Sequence, residues 1–372
     1  MFENFKIPNE LRPADPRFGC GPSLVPMEYV KKLYETGNHL LGTSHRKAPI
    51  KNLVKEVQDG LRKYFRVPAD YAIVLGNGGA TLLFDMIALG MVEKKAAHFT
   101  CGEFSEKWFK SSEMVPWIEA QQITVAFGEG IEAKDIADAD TICMTLNETS
   151  TGVQLPSIPS VHTGALVVVD ATSGAGQVPC DVSKVDCFFF SPQKVFASEG
   201  GLWIAILSPK AVDRVNKIAD DKKRYIPEIM SWKQAISNGS QNQTYNTPSI
   251  STIYFLNEQV KCMNELGYDR VIEEAKRKAN LLYSWGESKP YLSVYVKEQK
   301  FRSIAVACIN VDEKYGVDPL IKIFEKEKVA YGIDGYRRLG KNQFRISLFH
   351  NVKYEDLERL TKLISMAIEA ER

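Results

Sequence analysis

The sequence predicts an α/β protein, with a large domain on a mostly parallel sheet and a smaller C-terminal α+β domain. Three observations carry that prediction. Short apolar runs alternate with helical patterns from about residue 50 to 210, the order of βαβ units. Those runs are apolar at nearly every position, as strands buried on both faces are. Beyond residue 287 the order changes to three β-rich runs and two amphipathic helices, which suits a separate α+β unit.

Taken in order, the opening "MFENFKIPNELRPADPRFG" is polar and proline-containing, with no apolar signal core. Residues 1–48 are read as an N-terminal arm that packs with the small domain. The large domain is expected over 49–286. Its first strand is "YAIVLG" (71–76), followed by a glycine turn, a helix over 80–94 and a second helix over 103–114. "TICMTL" (141–146), "ALVVVD" (165–170) and "CFFF" (187–190) are the buried strands, and another starts at 200–203. After "TYNTPSIST" one long helical region is expected over 248–286, punctuated by Pro248 and Gly286. The small domain, 287–372, takes "YLSVYV", "SIAVACINV" and "FRISLF" as strands, with helices over 317–328 and 354–370. No internal repeat and no low-complexity stretch interrupts this order.

Composition narrows the function. Hydrophobic residues make up 44% and charged residues 25%, which is enough for a sizeable core. A net charge of +1 without long runs of one sign argues against nucleic acid or a membrane surface as the main partner. The seven cysteines form no CxxC pair or Cys/His cluster, so reduced thiols are expected and a structural zinc is not. The five histidines show no metal-ligand spacing, and no Ser-His-Asp or Cys-His pattern appears. With no stretch long enough to span a membrane, a cytoplasmic protein is expected.

In parallel sheets, ligands gather beyond the carboxyl ends of the strands. "GNGGATLLFDM" follows the first strand there. Gly78 and Gly79 allow close backbone approach, and the N–H groups of Ala80 and Thr81 face outward at a helix start, a site suited to phosphate. Alone, the turn is also an ordinary tight connection, and it is neither a P-loop nor GxGxxG. Asp170 ends "VVVD", where a carboxylate either caps a turn or holds a proton on a ring nitrogen. Lys194 follows one strand later, in "SPQKVFASEGG", and reads either as a loop lysine or as an amine made reactive by apolar surroundings. Together, a phosphate turn, a buried aspartate and a lysine after neighbouring strands are what pyridoxal phosphate requires. In "QFRISLF", period two sets Arg345 opposite Phe344 and Ile346, placing it as a surface ion-pair residue or a carboxylate fork. His45, in "SHR" before a helix, also fits a plain turn.

These residues lie within "FGCGPSLVP", "GTSHRKAPIKNLV", "GNGGAT", "GEFSEKW", "NETSTGV", "VVDATSGAG", "SPQKVFASEGGLW", "NQTYNTPSIST" and "NQFRIS". With those motifs, nearly the whole chain resembles the phosphoserine aminotransferase family, class V enzymes of fold type I that use pyridoxal 5′-phosphate. The resemblance implies that L-glutamate gives its amino group to 3-phosphohydroxypyruvate, a phosphorylated 2-oxo acid, yielding phosphoserine and 2-oxoglutarate in serine biosynthesis. It implies Lys194 as the Schiff-base lysine, Asp170 as the partner of the pyridine nitrogen, Phe104 as the stacked aromatic ring and Thr149 as a partner of the ring hydroxyl. Ala80, Thr81 and Gln193 match phosphate contacts, and Asn246 and Thr247 match contacts supplied by the second subunit of a homodimer with shared active sites. Arg345 matches the binder of the substrate α-carboxylate, and His45 and Arg46 fall where the distal anion is recognised. No metal is implied.

Better-known members of that family carry tryptophan in place of Phe104 and arginine in place of Thr81. A phenylalanine still stacks. Without the arginine, the distal phosphate must rely on other basic residues. The resemblance leaves open a side activity on the phosphorylated hydroxythreonine precursor of pyridoxine. Two alternatives stay open at this point: another class V transaminase, such as one using serine or alanine with glyoxylate, and a cofactor-binding regulator without turnover.

Overall fold

The computed structural model describes residues 2, 5–36 and 39–371. Helices α1 (Met27–Thr36) and α2 (Ala48–Tyr64) lead into strand β1 (Ala72–Gly78) and helix α3 (Ala80–Gly90). Strand β2 (Lys95–Thr100), helix α4 (Glu103–Glu113) and strand β3 (Glu119–Thr124) follow, then β4 (Thr141–Thr145) and a short hairpin of β5 (Asn147–Glu148) and β6 (Val153–Gln154). Next come β7 (Leu166–Asp170), β8 (Cys187–Phe190) and β9 (Gly201–Leu207), followed by helices α5 (Pro209–Ala219), α6 (Trp232–Gly239), α7 (Ile250–Leu266) and α8 (Tyr268–Ser288). The last third adds β10 (Leu292–Val294), β11 (Val306–Val311), α9 (Val317–Lys326), β12 (Gln343–Ser347) and α10 (Tyr354–Ala370).

Seven strands form one sheet in the order β1-β9-β8-β7-β4-β2-β3. Only β9 runs against its neighbours, so the sheet is mostly parallel, as the continuous apolar runs require. Every residue of β4, β7 and β8 is buried. Their alternate side chains feed two cores. Val167, Val169, Phe188 and Phe190 join the face shared with Val57 of α2 and Ile253 of α7, while Val168 and Phe189 join Phe84 of α3 and Trp232 of α6. Burying each such phenylalanine stabilises the fold by about 1.5–3 kcal/mol. The second, three-stranded sheet is antiparallel, in the order β10-β11-β12, and is backed by α8. The arm runs along it: the Phe18 N–H donates to Tyr331 O (3.1 Å) and the Ser347 N–H to Phe18 O (3.0 Å).

The structure adds strands β2 and β3 and the β5–β6 hairpin to the sequence reading, and changes two of its helices. The long helical region is two helices, because Gly267 takes a left-handed φ of 88° and its N–H caps α7 on Met263 O at 2.9 Å. The helix from Ala80 stops at Gly90, since Lys95 already opens β2. Among the described residues, no helix is long and apolar enough to cross a membrane.

Candidate active site

Lys194 sits in the turn between β8 and β9, and its Nζ donates to the carbonyl of Cys20 at 2.9 Å. The approach depends on Gly21, whose φ is 142°: a Cβ there would lie 1.9 Å from Nζ. Burial pushes the Lys194 amine down to about 8, opposed by Cys20, while Arg345 lowers it further and Asp170 and Glu148 raise it. Asp170 ends β7 beside it. Burial raises its carboxyl to about 6, although Thr172 donates to Oδ1 from both its N–H (2.9 Å) and its hydroxyl (2.5 Å). Glu148 adds to that rise and Lys194 opposes it. Among the described residues nothing donates to Oδ2, so this oxygen can take an N–H from a ligand.

Phe104 stands in the first turn of α4. Its orientation is set by the fully buried Glu148, whose carboxylate accepts from Phe104 N–H (3.3 Å), Ser105 N–H (2.9 Å) and the Ser105 hydroxyl (2.9 Å). An anion under the first turn also complements the helix dipole. Gly102 is needed for this fit, because a Cβ would meet Glu148 Cγ at 2.4 Å. The Thr149 hydroxyl, expected on a ring hydroxyl, donates to Ser173 Oγ at 2.7 Å, and the Thr149 carbonyl accepts from Arg345 Nη1 at 3.3 Å. Arg345 projects from β12 with its Nε buried and unpartnered, and its guanidinium carbon lies 5.3 Å from the Tyr336 ring centre.

At the glycine turn, Gly79 precedes α3 without a side-chain cap. The Ala80 N–H donates to Ser191 Oγ (2.7 Å), Thr81 is exposed, and the buried Oε1 of Gln193 has no partner. The segment carrying Asn246 and Thr247, which the resemblance matches to contacts supplied by the second subunit, has its backbone held beside this turn: Asn77 Nδ2 donates to the carbonyls of Asn246 (3.2 Å) and Thr247 (2.8 Å). The reason is α6, which packs on β1 and is tied there by Gln58, donating to both Ile73 O and Gly239 O. The side chains of Asn246 and Thr247 are exposed. His45 is buried with Nε2 unpartnered, its imidazole held low by burial and then by Arg46. Arg46 is exposed and reaches Gln243 Oε1 at 3.4 Å. Among the described residues, no hydrogen bond or ion pair joins His45 or Arg46 to Lys194, Asp170 or Arg345.

Sequence reasoning missed one group. A cavity of about 720 Å³ beside Phe104 is lined by Glu103, Lys107, Tyr336, Arg337, Arg338 and Arg345. Its one signal was the basic run "YRRLGK" just before Arg345.

Residues 21–360 match the family described as Aminotransferase class-V. The chain belongs to that family. It is 39% identical to a phosphoserine aminotransferase of Corynebacterium glutamicum (strain R), over 98% of this chain and 97% of that protein. It is 40% identical to another so named from Rhodococcus opacus (strain B4), over 97% of each. A crystal structure of a phosphoserine aminotransferase from Cytophaga hutchinsonii superposes with a TM-score of 0.86 at 26% identity, covering 95% of this chain and 98% of that one. The class V family implies pyridoxal 5′-phosphate, and the groups present fit it. A helix start whose only side-chain partner among the described residues is the Ser191 hydroxyl on the Ala80 N–H suits the phosphate, Asp170 Oδ2 suits a protonated ring nitrogen, Phe104 a ring face, and Lys194 an aldehyde.

Proposed function

We propose that the chain is a transaminase that moves the amino group of L-glutamate to 3-phosphohydroxypyruvate, giving O-phospho-L-serine and 2-oxoglutarate, with pyridoxal 5′-phosphate held on Lys194. The observation that carries the reading is the placement of an amine of lowered basicity, a carboxylate with a free oxygen and a carboxylate-binding arginine as close neighbours. The relatives named for this activity at about 40% identity support the choice of substrate.

When bound, the cofactor supplies an electron sink for the pair left behind as the amino acid loses its Cα proton. Lys194 does the proton work. An amine titrating near 8 is partly neutral at physiological pH, so it can take that proton from one carbon and deliver it to the next. Asp170 keeps a positive ring nitrogen paired through Oδ2. Phe104 would cover one ring face, and Ala80, Thr81 and Gln193 would hold the phosphate. Thr149 would partner the ring hydroxyl, and its carbonyl steadies the Arg345 guanidinium, whose remaining nitrogens would take the α-carboxylate. Glutamate's side-chain carboxylate and the keto acid's phosphate are anions at a similar remove from the reacting carbon, so one basic pocket serves both.

We further read the active protein as a cytoplasmic homodimer with shared sites. In one chain Arg46, Asn246 and Thr247 have exposed side chains, and among the described residues no hydrogen bond or ion pair joins them to Lys194 or Arg345. Helix α1 exposes Met27 (57%) and Tyr34 (84%), apolar surface that a second copy would cover. The deciding experiment is an acceptor panel with glutamate as donor. Highest kcat/KM with 3-phosphohydroxypyruvate is expected. A preference for glyoxylate, with alanine or serine as the better donor, would overturn the reading, and no turnover with any pair would leave a regulator.

A further inference from the structure

Glu103 is the least expected residue in the cavity wall. It is a carboxylate only 1% exposed, yet its cations come from outside: Arg338 Nη1 lies 2.5 and 2.6 Å from its two oxygens, and Lys107 Nζ lies 3.4 Å away. The Arg338 side chain is itself 61% exposed. A buried anion that depends on a solvent-facing arginine is a poor device for stability alone, because each charge weakens the other's hydration. Its location suggests another use.

Glu103 immediately precedes Phe104, and both ride on the first turn of α4. That turn is immobilised from below, since Glu148 takes the Phe104 and Ser105 N–H groups and Ser150 Oγ takes the Glu103 N–H at 3.0 Å. Arg338 belongs to the short turn 337–339 next to Tyr336, and this segment meets the small sheet through the Asp334–Phe344 bridge. Tyr336 places its ring 6.0 Å from Phe104 and 5.3 Å from the Arg345 guanidinium carbon. The fixed end of the pair is thus next to the stacking ring, and the adjustable end is next to the carboxylate-binding arginine.

We propose that Glu103 is a positioning residue: by anchoring Arg338 it holds the 336–338 turn against Phe104 and so keeps Arg345 aligned for the substrate carboxylate. This rests on the transaminase reading above. Glu103 touches no substrate atom. Its contribution is to binding, shared by the donor and the acceptor.

The test uses Glu103→Gln, which keeps the shape and removes the charge, together with Arg338→Ala and Arg338→Lys in the full-length holoenzyme. Glu103→Gln is expected to raise KM for both glutamate and 3-phosphohydroxypyruvate about 10-fold, with kcat changed less than about 3-fold. Arg338→Ala should match it, the double variant should be no worse than either single change, and Arg338→Lys should recover most of the loss. An apoprotein readout separates this from the transaminase reading: trypsin should cut the 337–341 turn about 10-fold faster in Glu103→Gln, and other sites at an unchanged rate. Unchanged KM values, effects that multiply in the double variant, or an unchanged cut at the turn would each overturn the proposal. If the parent enzyme turns over no donor–acceptor pair, the transaminase reading fails, and tryptic cleavage still decides whether the pair holds the turn.

Discussion

The two sheets contribute to the site in different ways. The large sheet supplies Asp170 and Lys194, and the β5–β6 hairpin and first turn of α4 beside it supply Glu148 and Phe104. All four are fixed by backbone and buried hydrogen bonds. The small sheet supplies Arg345 and the 336–338 turn, held by one carbonyl contact, ring packing and an ion pair with a half-open arginine. On the proposed reading, the groups that would move protons are the more heavily hydrogen-bonded, and the side chains that would recognise anions rest on fewer contacts. A protein that must accept a carboxylate and then a phosphate in one pocket benefits from that division.

The sharpest way to break the comparison is to weaken the rigid side. Asp170→Asn should lower kcat by about 10²- to 10⁴-fold, because the ring nitrogen loses its charged partner. The same change should stabilise the apoprotein. The Asp170 carboxyl titrates near 6 when folded, above its ordinary 3.8, so its charged form is a penalty that is fully present above pH 6. Removing it should add on the order of 3 kcal/mol at pH 8, and the gain should vanish as pH falls below about 4. Denaturant midpoints at the two pH values check this, and equal midpoints for both proteins at pH 8 would contradict it.

On the adjustable side, Arg345→Ala should raise KM for every amino donor and acceptor by about 10- to 150-fold, the usual loss for one charge-assisted contact. Arg46→Ala should fall in the lower half of that range for glutamate and 3-phosphohydroxypyruvate and leave alanine, which lacks a distal anion, nearly unchanged. Equal damage to alanine would remove His45 and Arg46 from the distal site. The smallest effect is on pH. Because the Lys194 amine titrates near 8 and not 10.5, fixation of pyridoxal phosphate by the apoprotein should rise through about pH 8 and level off above it. A rise continuing to pH 10 would show an ordinary lysine.

The same contrast explains what could be read from the sequence. Strands β4, β7 and β8 were legible because both faces are buried, and with them came Asp170 and Lys194 at their ends. Strand β3, "EAQQIT", is a half-exposed sheet edge whose polar residues carry no strand signal. The contact of Asn77 with the 246–247 backbone joins residues far apart in the chain, and no local pattern announces it. Glu148, in the β5–β6 hairpin, and Glu103, at a helix start, look like ordinary acidic residues in the sequence. The α4 N–H groups reach Glu148 only once the large domain is folded, and Arg338 reaches Glu103 only when the small domain packs beside it.

The most direct test of the account is chemical. The protein loaded with pyridoxal 5′-phosphate is divided, one part is reduced at once with borohydride, and the other is first given excess glutamate. Peptide mapping of the first part should place the reduced cofactor on Lys194, within "SPQKVFASEGG". The second part should lose the cofactor's aldehyde absorbance before reduction and carry little label. A label on Lys184, Lys210 or Lys278, or a label on Lys194 that glutamate cannot discharge, would contradict the assignment of Lys194 as the amine that carries the cofactor and serves the transfer.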